Sequence, residues 1–194
     1  MKKKFIDSSI NFITKYKKYT AKDIEKLKYG LEGLYLTVSK MIIIFILAFI
    51  LDIFVEVIVT IFLYNLLRFF GFGFHADKSW QCLIISIITF DLIPYILFHI
   101  KINFISTLFI CSICLIGYLL FAPADTPKRP LKNKRKRLIR KLFTCLVGII
   151  YSLLSLLFLD IRPYLLTAMI IQFIVINPIL YLITKQSYNN YKNN

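Results

Sequence analysis

Apolar and polar positions along the chain alternate on two length scales. Near the N-terminus, Ile6, Ile10, Ile13 and Tyr16 recur at three- to four-residue spacing, with Lys15, Lys17 and Lys18 elsewhere. That periodicity predicts an amphipathic helix. A second stretch begins at Thr20, with Asp23 three residues on in capping-box spacing, and Ile24, Leu27, Leu31 and Leu34 form its apolar stripe. Helices of this kind lie in the membrane interface by default. Beyond them the chain turns to long apolar runs: Leu34–Leu51, Ile53–Leu67, Cys82–Phe98, Ile102–Phe121, Leu142–Leu159 and Pro163–Thr184. Each approaches the roughly 20 residues that cross a bilayer. The expected fold is an all-α integral membrane protein, with about six transmembrane helices preceded by N-terminal amphipathic interfacial helices.

The first two runs are the hardest to separate, because no Gly or Pro marks a turn between them. One continuous helix would place Asp52 and Glu56 deep in lipid, which is costly. Charge supplies a second argument. Both the N-terminal region and residues 128–141 are strongly basic, and basic segments beside spans stay cytoplasmic. An even number of crossings must then separate them. Residues 82–121 supply two, so residues 34–70 are expected to supply two more, turning near Asp52–Glu56. The expected organisation is an interfacial region at 1–33, a six-span domain at 34–184 and a polar tail at 185–194, with both termini cytoplasmic. Loops 68–81 and 122–141 then lie on the cytoplasmic side, and the outer loops are too short to hold chemistry.

Composition agrees with this picture. Of the 194 residues 58% are hydrophobic, 18 are Phe, and the formal net charge is +15. A soluble domain would carry shorter apolar runs. The basic clusters fit topology setting and contact with anionic membrane lipids, and no soluble basic domain remains for nucleic-acid binding. The opening MKKKFIDSSINF lacks the apolar stretch of a signal peptide. Of the four cysteines, Cys111, Cys114 and Cys145 lie in or beside apolar segments, which argues against a disulfide framework. Cys111 and Cys114 have redox or zinc spacing, but no His or acid flanks them, so they read as small residues on one side of a membrane helix.

Two loops remain as places for chemistry. The first runs from Arg68 through Gly71, Gly73, His75, Asp77, Ser79 and Trp80 to Cys82. A thiolate is a strong nucleophile, and a nearby imidazole can take its proton and return it to a leaving amine. The glycines allow tight backbone that can admit a peptide or present N–H groups. If Ser79 caps the third span, Cys82 sits in the first turn, where the helix dipole favours thiolate; if Asp77 caps it, that help shrinks. The plainer alternative is a packing cysteine and a polar interfacial histidine. Were residues 75–82 one helix, His75 and Cys82 would stand roughly 10.5 Å apart along its axis. A working pair therefore requires His75 in the glycine-bearing loop. No zinc-ligand set, Walker sequence or dinucleotide fingerprint is present, and no cofactor or metal is expected. Ser79, Gln81 and Asp125 are candidate orienters of the pair.

The second loop holds Pro123, Asp125, Pro127 and Pro130, followed by a dense basic run through Lys132, Lys134 and Arg135. Prolines stop the preceding span and stiffen the segment. Its cations suit lipid head groups or an acidic peptide.

Together, Arg68, Gly73, His75 and Cys82 with the Pro123–Pro130 segment resemble the accessory gene regulator B (AgrB) family, over nearly the whole chain. One departure is visible: the family's adjacent glycines before the His are interrupted here, where Phe72 stands at the first. The resemblance implies a cell-membrane cysteine endopeptidase that matures an AgrD-like propeptide in quorum sensing. It implies Cys82 as nucleophile, His75 as general base and acid, and Arg68 and Gly73 as supporting residues. Cys82 would cut off the C-terminal tail and hold the remainder as a thioester, which an internal cysteine of the peptide converts to a thiolactone. Lys128, Arg129, Lys132, Lys134 and Arg135 are expected to attract the acidic tail of the substrate. Phe72, Phe74 and Trp80 are expected to restrict water. Dimerisation is left open. The competing readings are a small multi-pass peptide transporter and a non-catalytic membrane scaffold.

Overall fold

The computed structural model describes residues 2–16, 19–75, 78–126, 130–188 and 190. Lys128, Arg129 and Asp77 lie outside them. The elements follow from local chemistry. Helix α1 (Lys2–Tyr16) carries the first amphipathic stretch, with Ile6 buried. Helix α2 (Ala21–Ile50) begins where Thr20 caps it. The Asp23 N–H donates to Thr20 Oγ1 at 3.3 Å, and the Thr20 hydroxyl donates to Asp23 Oδ2 at 2.6 Å. The expected second amphipathic stretch and first span are thus one helix of 30 residues, about 45 Å long. The chain divides into two compact units inside this helix, residues 1–46 and 47–194. Within the first, Lys2 pairs with Glu32 at 3.4 Å and the Phe5 ring meets Tyr35.

The second unit opens with the expected turn. Helix α2 ends at Ile50, Asp52 takes φ +56°, the Ile53 N–H donates to Ala48 O at 2.9 Å, and α3 (Phe54–Gly71) follows. The third span, Ser79–His99, is not uniform: α4 (Ser79–Ile87) passes through a π turn (Ile88–Leu92) into α5 (Ile93–His99). Pro94 has no N–H for the Phe90 carbonyl, and a widened turn absorbs such a defect. Helices α6 (Phe104–Phe121) and α7 (Lys134–Leu157) start at Asn103 and Asn133, whose side chains accept the Ser106 and Lys136 N–H groups.

The last apolar run is broken rather than continuous. Helix α8 (Arg162–Ile176) stops at Asn177, and α9 (Pro178–Ile183) restarts in a new direction set by the proline. At 15 residues α8 measures about 22 Å, short of the roughly 30 Å hydrocarbon core. It packs against α3, α5, α6 and α7, and its Leu166, Ala168, Met169, Ile171 and Ile176 are fully buried. A helix apolar on all sides belongs in the middle of a bundle. Close approach depends on small residues around it. A Cβ on Gly117 would stand 2.3 Å from the Phe173 ring, and one on Gly148 would stand 2.9 Å from Tyr118. The Tyr118 hydroxyl donates to Met169 O at 2.7 Å.

Among the described residues, five helices are long and apolar enough to cross a membrane: α2, α3, the α4–α5 span, α6 and α7, with α8 shorter. Their outward faces carry Phe62, Ile105, Phe109, Leu142 and Leu153 exposed, as surfaces that meet lipid do. The protein is an all-α membrane protein. Cys111 and Cys114 are buried without a disulfide, packed as the apolar context predicts, with Cys111 Sγ 3.5 Å from Ser155 Oγ.

Candidate functional site

The two loops singled out by sequence are joined. Helix α3 ends at Gly71, and Phe72 leaves it at φ 53° with its N–H still donating to Arg68 O. Phe72 then forms a short parallel bridge with Ala124. The Gly73 N–H donates to Ala124 O at 3.0 Å, and the Ala124 N–H donates to Gly71 O at 3.1 Å. Residues 71–73 are therefore tied to Ala124 by a pair of backbone hydrogen bonds.

A third partner is the broken helix. Pro178 has no N–H, and the Ile179 N–H that would reach Val175 O is taken by Asn177 Oδ1, so that carbonyl of α8 lacks its helical donor. Val175 O accepts the Phe74 N–H instead, at 2.7 Å. Gln172 Nε2 donates to Phe72 O at 3.1 Å, Arg68 Nη2 to Phe74 O at 3.0 Å and Gln186 Nε2 to His75 O at 3.2 Å. The backbone from Gly71 to His75 is thus held from α3, α8, the chain after α9 and the Ala124 turn. Buried backbone polar groups need such partners. Two glycines make the approach feasible. A Cβ on Gly71 would fall 2.4 Å from Gln172 Nε2; one on Gly73 would fall 2.9 Å from Val175 Cγ2, at a φ of +133°.

His75 emerges exposed at the end of this anchored segment and lies outside any helix. Helix α4 starts only at Ser79. Lys78, extended at φ −98° and ψ 133°, is its N-cap; Ser79 is instead the first helical residue. Cys82 is half-buried in the first turn, its N–H donating to Lys78 O at 3.1 Å. His75 is therefore not part of the helix that carries Cys82. Arg68 projects from the last turn of α3, and its guanidinium also donates to the Tyr64 hydroxyl. Arg68 and the Gly73–Phe74 backbone therefore lie together at the C-terminal end of α3.

The three aromatic residues occupy different surroundings. Phe74 is buried and meets Tyr181 edge-on at 5.6 Å, so it secures the loop from beneath. Trp80 is 59% exposed. Phe72 lies under Arg140, whose guanidinium sits 4.2 Å from the ring centroid and donates to Phe69 O at 2.7 Å. Asp125 is spent on structure: its carboxylate accepts the Leu131 N–H at 3.2 Å and the Asn190 N–H at 3.0 Å.

Of the expected tail-binding cations, Lys132, Lys134 and Arg135 are exposed at the start of α7. Lys128 and Arg129 lie outside the described residues. Among the described residues no three His, Cys, Asp or Glu side chains assemble as metal ligands do. Sequence reasoning did not find Gln172, Arg140, Ala124 or Gln186. Gln172 had a signal, as a buried amide inside an apolar run. Arg140 had none, being one cation in a basic stretch.

Comparison with known proteins gives consistent matches. Residues 6–187 match the family model described as Accessory gene regulator B. An AgrB-like protein of Listeria innocua is 32% identical over 169 residues, covering 86% of this chain and 83% of its own. An AgrB-like protein of Clostridium acetobutylicum is 28% identical over 183 residues, 92% of this chain and 87% of its own. Accessory gene regulator protein B of Staphylococcus aureus is 35% identical over 125 residues, 64% of this chain and 65% of its own. No solved structure matches.

Proposed function

The chain belongs to the accessory gene regulator B family, and on that premise we propose that it is a cysteine endopeptidase that processes an AgrD-like propeptide in quorum sensing. The observation that carries the reading is the break between His75 and Cys82. His75 sits on a backbone fixed by four separate segments, and Cys82 occupies the first turn of the next helix. One helix through both would have kept them roughly 10.5 Å apart along its axis.

In the proposed mechanism, the imidazole of His75 takes the Cys82 proton and the sulfur attacks the scissile carbonyl. The tetrahedral species collapses, His75 returns the proton to the leaving amine, and the C-terminal tail departs. The remaining peptide is held as a Cys82 thioester. An internal thiol of the peptide then attacks that carbonyl, giving up its proton, and Cys82 leaves with a proton regained. One thioester is exchanged for another, so the cyclisation needs little driving force. Arg68 acts as a positioning residue, because its bonds to Tyr64 and Phe74 O tie the His75 loop to α3. Lys132, Lys134 and Arg135, with Lys128 and Arg129 of the sequence, attract the acidic tail. In this reading the site faces the cytoplasm and the protein resides in the cell membrane.

Peptide transport is the competing reading that one feature suggests, since broken helices mark transporter binding sites. Here the break at Asn177–Pro178 frees Val175 O for Phe74, so it already serves the His75 loop. The test is cleavage of a tagged propeptide by protein reconstituted in liposomes. Wild type should release the tail and Cys82→Ala should not, with an acyl adduct on Cys82 visible by mass spectrometry. Equal cleavage by both proteins would overturn the assignment.

A further inference from the structure

The face of α7 that begins the basic run does more than carry charge. Lys134, Arg137, Leu138 and Lys141 fall at i, i+3, i+4 and i+7, one side of the helix. With Leu120 at the end of α6, the Ala122–Pro123 turn and Tyr188, they line a cavity of about 450 Å³. That lies within the range of about 300–1,000 Å³ typical of ligand pockets. Among the described residues, neither Lys134 nor Lys141 has a carboxylate within salt-bridge distance. The nearby Asp125 carboxylate is committed to backbone N–H groups. Lys134 and Lys141 are therefore cavity cations that an external anion can complement.

Its rim identifies the class of anion. Leu120 and Leu138 are 67% and 58% exposed, and they continue into the exposed apolar surface of Leu119, Leu142 and Leu146. An occupant must satisfy cations at one end and cover leucines at the other. We infer that this cavity is a binding site for an anionic phospholipid, its phosphate between Lys134, Arg137 and Lys141 and an acyl chain along Leu120 and Leu138. The Tyr188 hydroxyl, which donates to Phe121 O at 3.3 Å, closes the floor between the two helices. The lipid thereby bridges α6 and α7 at the level of the proline-rich turn that pairs with Gly73. The arrangement is that of basic pockets between spans that hold anionic head groups.

The experiment is lipid titration of the purified full chain in neutral detergent, followed by native mass spectrometry. Phosphatidylglycerol should bind one-to-one and in clear preference to phosphatidylcholine. Combined Lys134→Gln, Arg137→Gln and Lys141→Gln should weaken it about a hundredfold, and Lys141→Gln alone about fivefold. The single variant keeps the test decisive if the triple variant folds poorly. Combined Lys132→Gln, Arg135→Gln and Lys136→Gln removes equal charge outside the cavity and should change binding less than threefold. Equal losses in the two triple variants, or no preference for phosphatidylglycerol, would overturn the site. Soluble glycerol phosphate binding as tightly as the lipid would remove the acyl-chain contact. An acidic decapeptide whose binding alone disappears in the cavity variant would assign the cavity to peptide instead.

Discussion

Replacing Gly73 by alanine is the sharpest probe of the His75 loop. Gly73 has φ +133°, a backbone conformation that residues with a Cβ rarely adopt, and forcing one there costs about 1–3 kcal/mol. The added Cβ would stand 2.9 Å from Val175 Cγ2 and 3.1 Å from Val175 O. The valine methyl can rotate away; the carbonyl cannot, because it accepts the Phe74 N–H at 2.7 Å. Relief then requires the loop to lift from the end of α8. That weakens the Phe74–Val175 and Gly73–Ala124 bonds, each contributing about 0.5–1.5 kcal/mol net. Strain and lost bonds together reach about 2–6 kcal/mol, enough to detach the loop while the helices stay packed. A shift of about 1 Å in a catalytic group can reduce rate about a hundredfold. Gly73→Ala should therefore lose about two orders of magnitude in propeptide cleavage with helix content by circular dichroism unchanged. Gly30 is the control. It lies in α2 with nothing within 4 Å of a built Cβ, and alanine is preferred there by about 1 kcal/mol. Wild-type cleavage by Gly73→Ala, or an equal loss in Gly30→Ala, would refute the reasoning.

Three further outcomes follow from the same geometry. Arg140→Ala removes the bond to Phe69 O and the cation over Phe72, and should lower stability by about 1–3 kcal/mol in thermal melts; Arg140→Lys should recover only part of it. The Tyr181 hydroxyl is buried and has no hydrogen-bond partner among the described residues. Tyr181→Phe should therefore leave thermal stability unchanged or raise it by about 1 kcal/mol, and a marked loss would reveal a missing polar partner. Charge reversal at Lys132 and Arg135, which do not line the lipid cavity, should raise the propeptide KM about three- to tenfold at low salt. The salt dependence of cleavage should flatten in parallel, and identical salt profiles for variant and wild type would refute tail attraction at these positions.

Much of the architecture was legible along the chain because the bilayer imposes length and charge rules that act locally. The apolar runs became helices, the turn fell near Asp52, and Thr20 and Asp23 capped α2. Between the two basic clusters stand α2, α3, the α4–α5 span and α6, each long and apolar enough to cross a membrane. His75 outside the helix and Cys82 at its start followed from distance along a helix axis. Hydropathy could not place α8 at the centre of the bundle, because a buried apolar helix and a lipid-facing one have the same composition. Nor could it reveal that the break at Asn177–Pro178 supplies Val175 O to the His75 loop, 101 positions away from Phe74 in sequence. Hydropathy and periodicity report how each segment meets its solvent. Which carbonyl meets which N–H is decided by packing between distant segments, and only the tertiary structure holds that information.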